Sequence, residues 1–134
     1  MKSEIRTIEL PKVIEPRGNL TFIESSNHIP FDISRVYYLY DIPAGAWRGG
    51  HAHRDCHELL VAASGSFTVK LHDGTRESTH FLNYPAVGLY VPNIVWRELC
   101  DFSSGAVCLV LASHRFDEAD YVRDFDAFMA HVRV

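Results

Sequence analysis

Short apolar runs recur through most of the chain, each cut off by glycine, proline, asparagine or aspartate at intervals of roughly 8 to 12 residues, which is the rhythm of a β-sandwich or barrel. The runs are KVIE (12–15), LTFIE (20–24), RVYYLYDI (35–42), HELLVAAS (57–64), SFTVKLHD (66–73), STHFLN (78–83), VGLYVP (87–92), VWRELCDF (95–102) and AVCLVLAS (106–113). So many short β-branched and aromatic segments exclude a helical bundle or a doubly wound sheet. Ser64-Gly65 and Asp73-Gly74 are the clearest tight turns, because glycine supplies the positive φ such turns require. Between them Phe67, Val69 and Leu71 share one face of the strand and Ser66, Thr68, Lys70 and His72 the other, so this segment reads as an outer strand, dry on one side and wet on the other.

Only the end has helical spacing. Over residues 117–132, Tyr121, Val122, Phe125, Phe128, Met129 and Val132 form an apolar stripe with acids early in the segment, which predicts a single amphipathic helix docked on a sheet. The expected fold is therefore all-β with a short C-terminal amphipathic helix. A length of 134 residues, 47% of them apolar, suits one domain over 1–134 with one core.

The net charge of −4 removes the electrostatic case for a nucleic-acid partner. No apolar run approaches the ~20 residues needed to cross a bilayer, and MKSEIRTIEL lacks the apolar core of a signal peptide, so no membrane is expected and the cytoplasm is the expected compartment. Cys56, Cys100 and Cys108 are odd in number and widely spaced, which fits reduced thiols rather than a disulfide framework or a zinc ribbon.

The segment RGGHAHRDCHE (48–58) concentrates the chemistry. Gly45, five residues, His51, one residue, His53, four residues, Glu58, six residues and Gly65 reproduce the first motif of the cupin superfamily without a gap. A period of two points His51 and His53 to the same side, and Glu58 on the returning strand can come round beside them. The resemblance to cupins implies a double-stranded jelly roll, in agreement with the run count. Metal-binding cupins complete these ligands with a histidine from a second motif: Pro, one residue, Gly, two residues, His. In VPNIVWRELCD, Pro92 fits, Ile94 stands in place of the glycine and Arg97 in place of the histidine. Arginine stays protonated and offers no lone pair, and a guanidinium beside a divalent cation adds repulsion. No metal and no cofactor is therefore expected, and imidazoles near arginines suit proton transfer instead. A three-ligand His51, His53, Glu58 site for non-haem iron or manganese, as in a metal-dependent cupin oxygenase, is the competing reading. His28, His57, His72, His80, His114 and His131 have no such context.

Several stretches together resemble a narrow family, the dTDP-4-keto-6-deoxyglucose 3,4-ketoisomerases of bacterial deoxysugar biosynthesis. They are RGNLTFIE (17–24), IPFDISRVYYLYDIP (29–43), RGGHAHRDCHELL (48–60), GLYVPNIVWREL with DFSSG after Cys100 (88–105), and VLASHRFDEADYVRDFDAF (110–128). The resemblance implies a metal-free isomerase that moves the ketone of a thymidine diphosphate sugar from C4 to C3. That reaction needs a base for the C3 proton, a proton source for C4 and donors for the enediol between them. On the family's pattern His51 is the base, His53 its neighbour, and Tyr37 hydrogen-bonds the base or the sugar oxygens. Arg17 and Arg97 match pocket positions near the sugar. Arg48 is the first choice for the pyrophosphate, whose charge suits a planar guanidinium fork. Glu58 is a secondary candidate that could orient an imidazole. The family also implies a homodimer, and an exchange of N-terminal strands between its subunits is expected. A catalytically silent cupin that only binds a sugar nucleotide is the third reading. The C4 configuration of the product, the residue or water that protonates C4, and the downstream aminosugar are not legible in the sequence.

Overall fold

The computed structural model describes residues 5–133. Its strands are β1 (Arg6–Glu9), β2 (Lys12–Val13), β3 (Leu20–Thr21), β4 (Arg35–Leu39), β5 (Arg48–His53), β6 (Glu58–Ser64), β7 (Phe67–His72), β8 (Glu77–Leu82), β9 (Val87–Val91), β10 (Trp96–Cys100), β11 (Val107–Ala112) and β12 (Tyr121–Val122), followed by helix α1 (Phe125–Val132). Two five-stranded sheets form, ordered β1-β9-β6-β11-β4 and β12-β5-β10-β7-β8, with β2 and β3 as a separate hairpin. Every pairing is antiparallel. This is the expected double-sheet jelly roll.

The main core lies between the sheets, where Leu60, Leu89, Val91, Cys108 and Val110 of the first meet Phe67, Val69, Leu71 and Leu99 of the second. The first sheet is covered on its other face too: Leu59, Val61, Tyr90 and Leu111 pack under Leu10, Ile29 and Phe31. Burial on both faces explains why β6 reads as the continuous run LLVAA rather than as an alternation. Segment 66–73 alternates as expected, Phe67, Val69 and Leu71 all pointing inward and buried. It lies between β10 and β8, one place in from the edge, so β8 rather than β7 is the outer strand. At the turn before it, Gly65 has φ +65°, and a Cβ there would stand 2.4 Å from Ser103 Oγ.

Three strands were not legible as runs: β1, β5 and β12. β5 begins with a glycine pair and carries histidines in place of apolar residues, so its composition disguised it. The continuous helix expected over 117–132 is corrected. Instead, a 3-10 turn covers Glu118–Asp120, β12 follows, and α1 starts only at Phe125. Two aspartates make the break: Asp117 accepts from the Ala119 N–H and Asp124 from the Ala127 N–H, so each caps a new N-terminus. Between the caps the backbone pairs with β5, Tyr121 opposite His53 and Val122 opposite Ala52. Arg54 fastens this strap, its guanidinium donating to the carbonyls of Ala119 (2.7 Å) and Tyr121 (3.0 Å). The apolar stripe does dock as expected, with Phe128 fully buried against Ala52, Trp96 and Val122 on the outside of the second sheet, and Met129 and Val132 beside it. No helix is long and apolar enough to cross a membrane among the described residues.

Candidate active site

At the strap's end of the sandwich a cavity of about 310 Å³ opens between the sheets. The inward faces of six strands build its wall: Arg35 and Tyr37 from β4, Arg48 and His51 from β5, Glu58 from β6, Arg97 from β10, Val110 from β11 and Tyr121 from β12, with Arg123 just beyond. Alternation along β4 separates these from Val36 and Tyr38, which face outward and are exposed. In β5, Gly49 and Gly50 both have positive φ (+89° and +73°), and the register against β10 slips there, so that Glu98 faces Gly49 while Arg97 faces His51. This bulge sets His51 across from Arg97. A Cβ on Gly49 would lie 3.0 Å from the Arg97 carbonyl oxygen, so the close approach needs glycine.

Glu58 is the hub. It is buried, and its Oε1 accepts from Arg97 Nη1 at 2.5 Å while Oε2 accepts from the Tyr37 hydroxyl at 2.8 Å. Arg35 Nη2 stands 3.9 Å from the same Oε2. Arg97, itself 2% exposed, also donates to the Val95 carbonyl at 3.0 Å. Burial and the Glu58 charge push the Tyr37 phenol far above its usual range, so it stays protonated as a donor.

The two imidazoles differ in their partners. His53 is buried, and its Nδ1 lies 2.9 Å from Asp120 Oδ2, whose other oxygen accepts from the Asp55 N–H at 2.7 Å. A carboxylate only accepts, so His53 carries its proton on Nδ1 and presents a lone pair at Nε2. That Nε2 is 3.6 Å from Glu58 Oε2 and has no hydrogen-bond partner. His51 meets His53 edge to face, ring centroids 4.9 Å apart, and both its ring nitrogens are buried without a partner. Burial, then the Arg97 charge, lower the His51 pKa to about 3 and that of His53 to about 2, so both rings are neutral across the physiological range. Tyr121 covers them, 4.9 Å from His51 and 4.4 Å from His53, and Arg123 stacks on its ring at 4.3 Å. Arg35 Nε and Arg97 Nε are likewise buried without partners. Buried polar groups are normally satisfied. Orphans collected around one cavity mark a place shaped for a polar guest.

Residues 3–133 match the family described as "FdtA: WxcM-like, C-terminal". The chain belongs to this family. A curated relative from Aneurinibacillus thermoaerophilus, TDP-4-oxo-6-deoxy-alpha-D-glucose-3,4-oxoisomerase, is 45% identical over 129 residues, 96% of this chain and 93% of the relative. Among solved structures, QdtA, a sugar 3,4-ketoisomerase from Thermoanaerobacterium thermosaccharolyticum in complex with TDP, matches with a TM-score of 0.94 at 40% identity, covering 96% of this chain and 94% of QdtA. The H51N mutant of QdtA in complex with TDP-4-keto-6-deoxyglucose matches at 0.95 and 38%, covering 99% and 96%.

In this member of the FdtA family the cupin metal position does not fit a metal. Both Glu58 oxygens are engaged by Arg97 and Tyr37, and the Arg97 guanidinium fills the place of the fourth ligand, where it would repel a divalent cation. The oxygenase reading is not favoured.

Of the residues expected from the sequence, Tyr37, Arg48, His51, Glu58 and Arg97 line the cavity, and His53 lies behind His51. Arg17 does not reach it: its side chain is 88% exposed on the β2–β3 turn, paired with Glu15 at 3.0 Å. Arg35, Asp120, Tyr121 and Arg123 escaped the sequence reading. Arg35 shares a strand face with Tyr37, two residues on, so alternation could have found it. The other three sit in the segment read as helix, although the stretch DEADYVR was itself part of the resemblance.

Proposed function

We propose that this chain is a TDP-sugar 3,4-ketoisomerase that converts TDP-4-keto-6-deoxyglucose to its 3-keto isomer. The carrying observation is His51: a half-buried imidazole whose two ring nitrogens are buried without a hydrogen-bond partner, facing a cavity walled by Arg35, Arg48, Arg97 and Arg123.

The C4 ketone acidifies the C3 proton, and a His51 nitrogen removes it. Negative charge then develops on the C4 oxygen, where Arg97 or Arg35 supplies donors already fixed by Glu58 and Tyr37. Fixed donors need no reorganisation as the enediolate forms. Return of a proton to C4, with the C3 hydroxyl proton passing to the C4 oxygen, leaves the ketone on C3 and a hydroxyl on C4. The lowered His51 pKa keeps its lone pair free beforehand, and an anionic substrate offsets the surrounding guanidinium charge and raises the ring's basicity as it binds. Arg48, which pairs with no carboxylate among the described residues, takes the diphosphate together with Arg123.

The active form is a homodimer with exchanged N-terminal strands. Supporting this, Val36 and Tyr38 are exposed on edge strand β4 with Tyr40 just past its end, Ile14 and Leu20 are exposed on a hairpin whose strands pair only with each other among the described residues, and the exposed Arg17 sits on that hairpin's turn, outside this chain's own cavity. The cytoplasm, where nucleotide sugars are made, is the proposed compartment.

The test is incubation with TDP-4-keto-6-deoxyglucose in heavy water, followed by NMR. The isomerase produces the 3-keto sugar with C4 carrying deuterium or the transferred C3 proton, and His51→Asn abolishes this by roughly 10²- to 10⁴-fold. Binding without exchange would leave the silent cupin.

A further inference from the structure

Behind His53, on the side away from the cavity, Asp120 meets Cys56. A ring nitrogen of His53, the Sγ of Cys56 and a carboxylate oxygen of Asp120 all lie within 4.8 Å of one another, and it is Nδ1 of His53 that meets Asp120, at 2.9 Å. His53 and Cys56 are each 1% exposed. Cys56 and Asp120 do not line the sugar cavity, but Asp120 does line a second one of about 510 Å³, with Asp55, Ser113 and His114. Asp120 thus joins the buried cluster to a second opening.

We propose that His53, Cys56 and Asp120 form a binding site for a thiophilic divalent cation such as zinc, entered from this second cavity and separate from the cupin metal position that Arg97 closes. One imidazole, one thiolate and one carboxylate are an ordinary zinc donor set, with a water from the second cavity as the fourth ligand. The thiolate selects against magnesium and calcium, which prefer oxygen alone. The proton changes balance. Cys56 releases its thiol proton to solvent, and the His53 proton moves from Nδ1 to Nε2, on the side of the Glu58 carboxylate, whose Oε2 lies 3.6 Å away. Asp120 coordinates through the oxygen now facing His53 and keeps the Asp55 N–H on the other. Burial and the Glu58 charge hold the Cys56 proton on, so zinc affinity rises with pH.

Occupancy reaches the reaction site through His53. Its tautomer is inverted, the Nε2 lone pair beside His51 is lost, and turnover falls. Zinc therefore inhibits the enzyme from outside the sugar pocket.

The experiment titrates the chelator-treated full-length protein with zinc by competition calorimetry, and with cobalt(II) by absorbance. One metal per chain, a thiolate-to-cobalt charge-transfer band and inhibited turnover are expected. Cys56→Ser keeps basal turnover, loses the band and weakens zinc by more than the roughly 10- to 100-fold that loss of an outer-shell partner costs. Cys56→Ala is the second variant, with circular dichroism confirming that each is folded. Unchanged zinc affinity in folded variants, or no stoichiometric binding to the parent protein, overturns the proposal. Metal binding is read without substrate, so its outcome stands apart from that of the isomerase assay.

Discussion

Arg97 and Glu58 form an ion pair inside the sandwich, 2% and 1% exposed, directly across the sheets from one another. The pair converts a metal-ligand arrangement into a donor array: the carboxylate that would hold a cation instead holds a guanidinium, and Tyr37 locks it from the other side.

Removing one member of such a pair strands the other charge. Glu58→Ala should destabilise the fold by about 3–5 kcal/mol, read from the denaturant midpoint. Glu58→Gln keeps an acceptor for Tyr37 or Arg97 and should lose distinctly less. Equal losses in the two variants would show that the carboxylate's bonds do not matter.

Asp120→Asn tests the orientation of His53. The Asp55 N–H will claim the amide oxygen, which turns the amide NH₂ towards His53 Nδ1 and forces the opposite tautomer. In chelated buffer kcat should fall by up to about 100-fold, short of the upper end of what loss of the base costs, with KM nearly unchanged. Nitrogen-15 shifts of His53 should report the inverted tautomer. An unaltered tautomer would count against Asp120 as a positioning residue.

Acid should weaken the protein through its buried imidazoles. The unfolded chain binds protons on histidine below pH about 6.5, whereas folded His51 and His53 refuse them until about 3 and about 2. The stability of these neutral rings is full above pH about 6.5 and is lost as pH falls from there towards about 3. Calorimetric Tm values should drop through that window, and less steeply in His51→Asn. The same depressed value means that His51 imposes no acid limb on kcat/KM between pH about 5 and 8.

Arg48→Gln and Arg123→Gln should each weaken TDP binding by about 1.5–3 kcal/mol, measured by calorimetry at fixed salt, through loss of a charge-assisted bond. For Arg123 the present partner is Glu118, at 2.7 and 2.9 Å, so Glu118→Gln should tighten TDP as the arginine is freed. A TDP affinity indifferent to both arginines would move the diphosphate elsewhere.

Alternation and turn residues were enough to show the sandwich, because most strands bury at least one face and end at residues that cannot continue them. β5 was hidden for a physical reason: its glycines shape a bulge and its histidines replace apolar residues to serve the cavity. The strap was hidden for another. Tyr121, Val122 and Phe125 are spaced as on a helix, but pairing with β5 and the caps at Asp117 and Asp124 outweigh that local pattern. Hence His51, His53, Glu58 and Arg97 were legible from spacing, and Asp120 and Arg123 were not. Ile94 shows the limit from the other side. It occupies the glycine position of the second motif and still adopts φ 56°, held by its N–H to the His53 carbonyl at 2.7 Å, so the turn survives a residue that argues against it.

Because Arg54 ties residues 119–121 to β5, one wall of the cavity is contributed by a short strap rather than by the main core. Proteolytic clipping near Asp117 would free that strap and open the two imidazoles to water while the core between the sheets stays in place. Loss of function in this protein can thus precede any visible loss of fold.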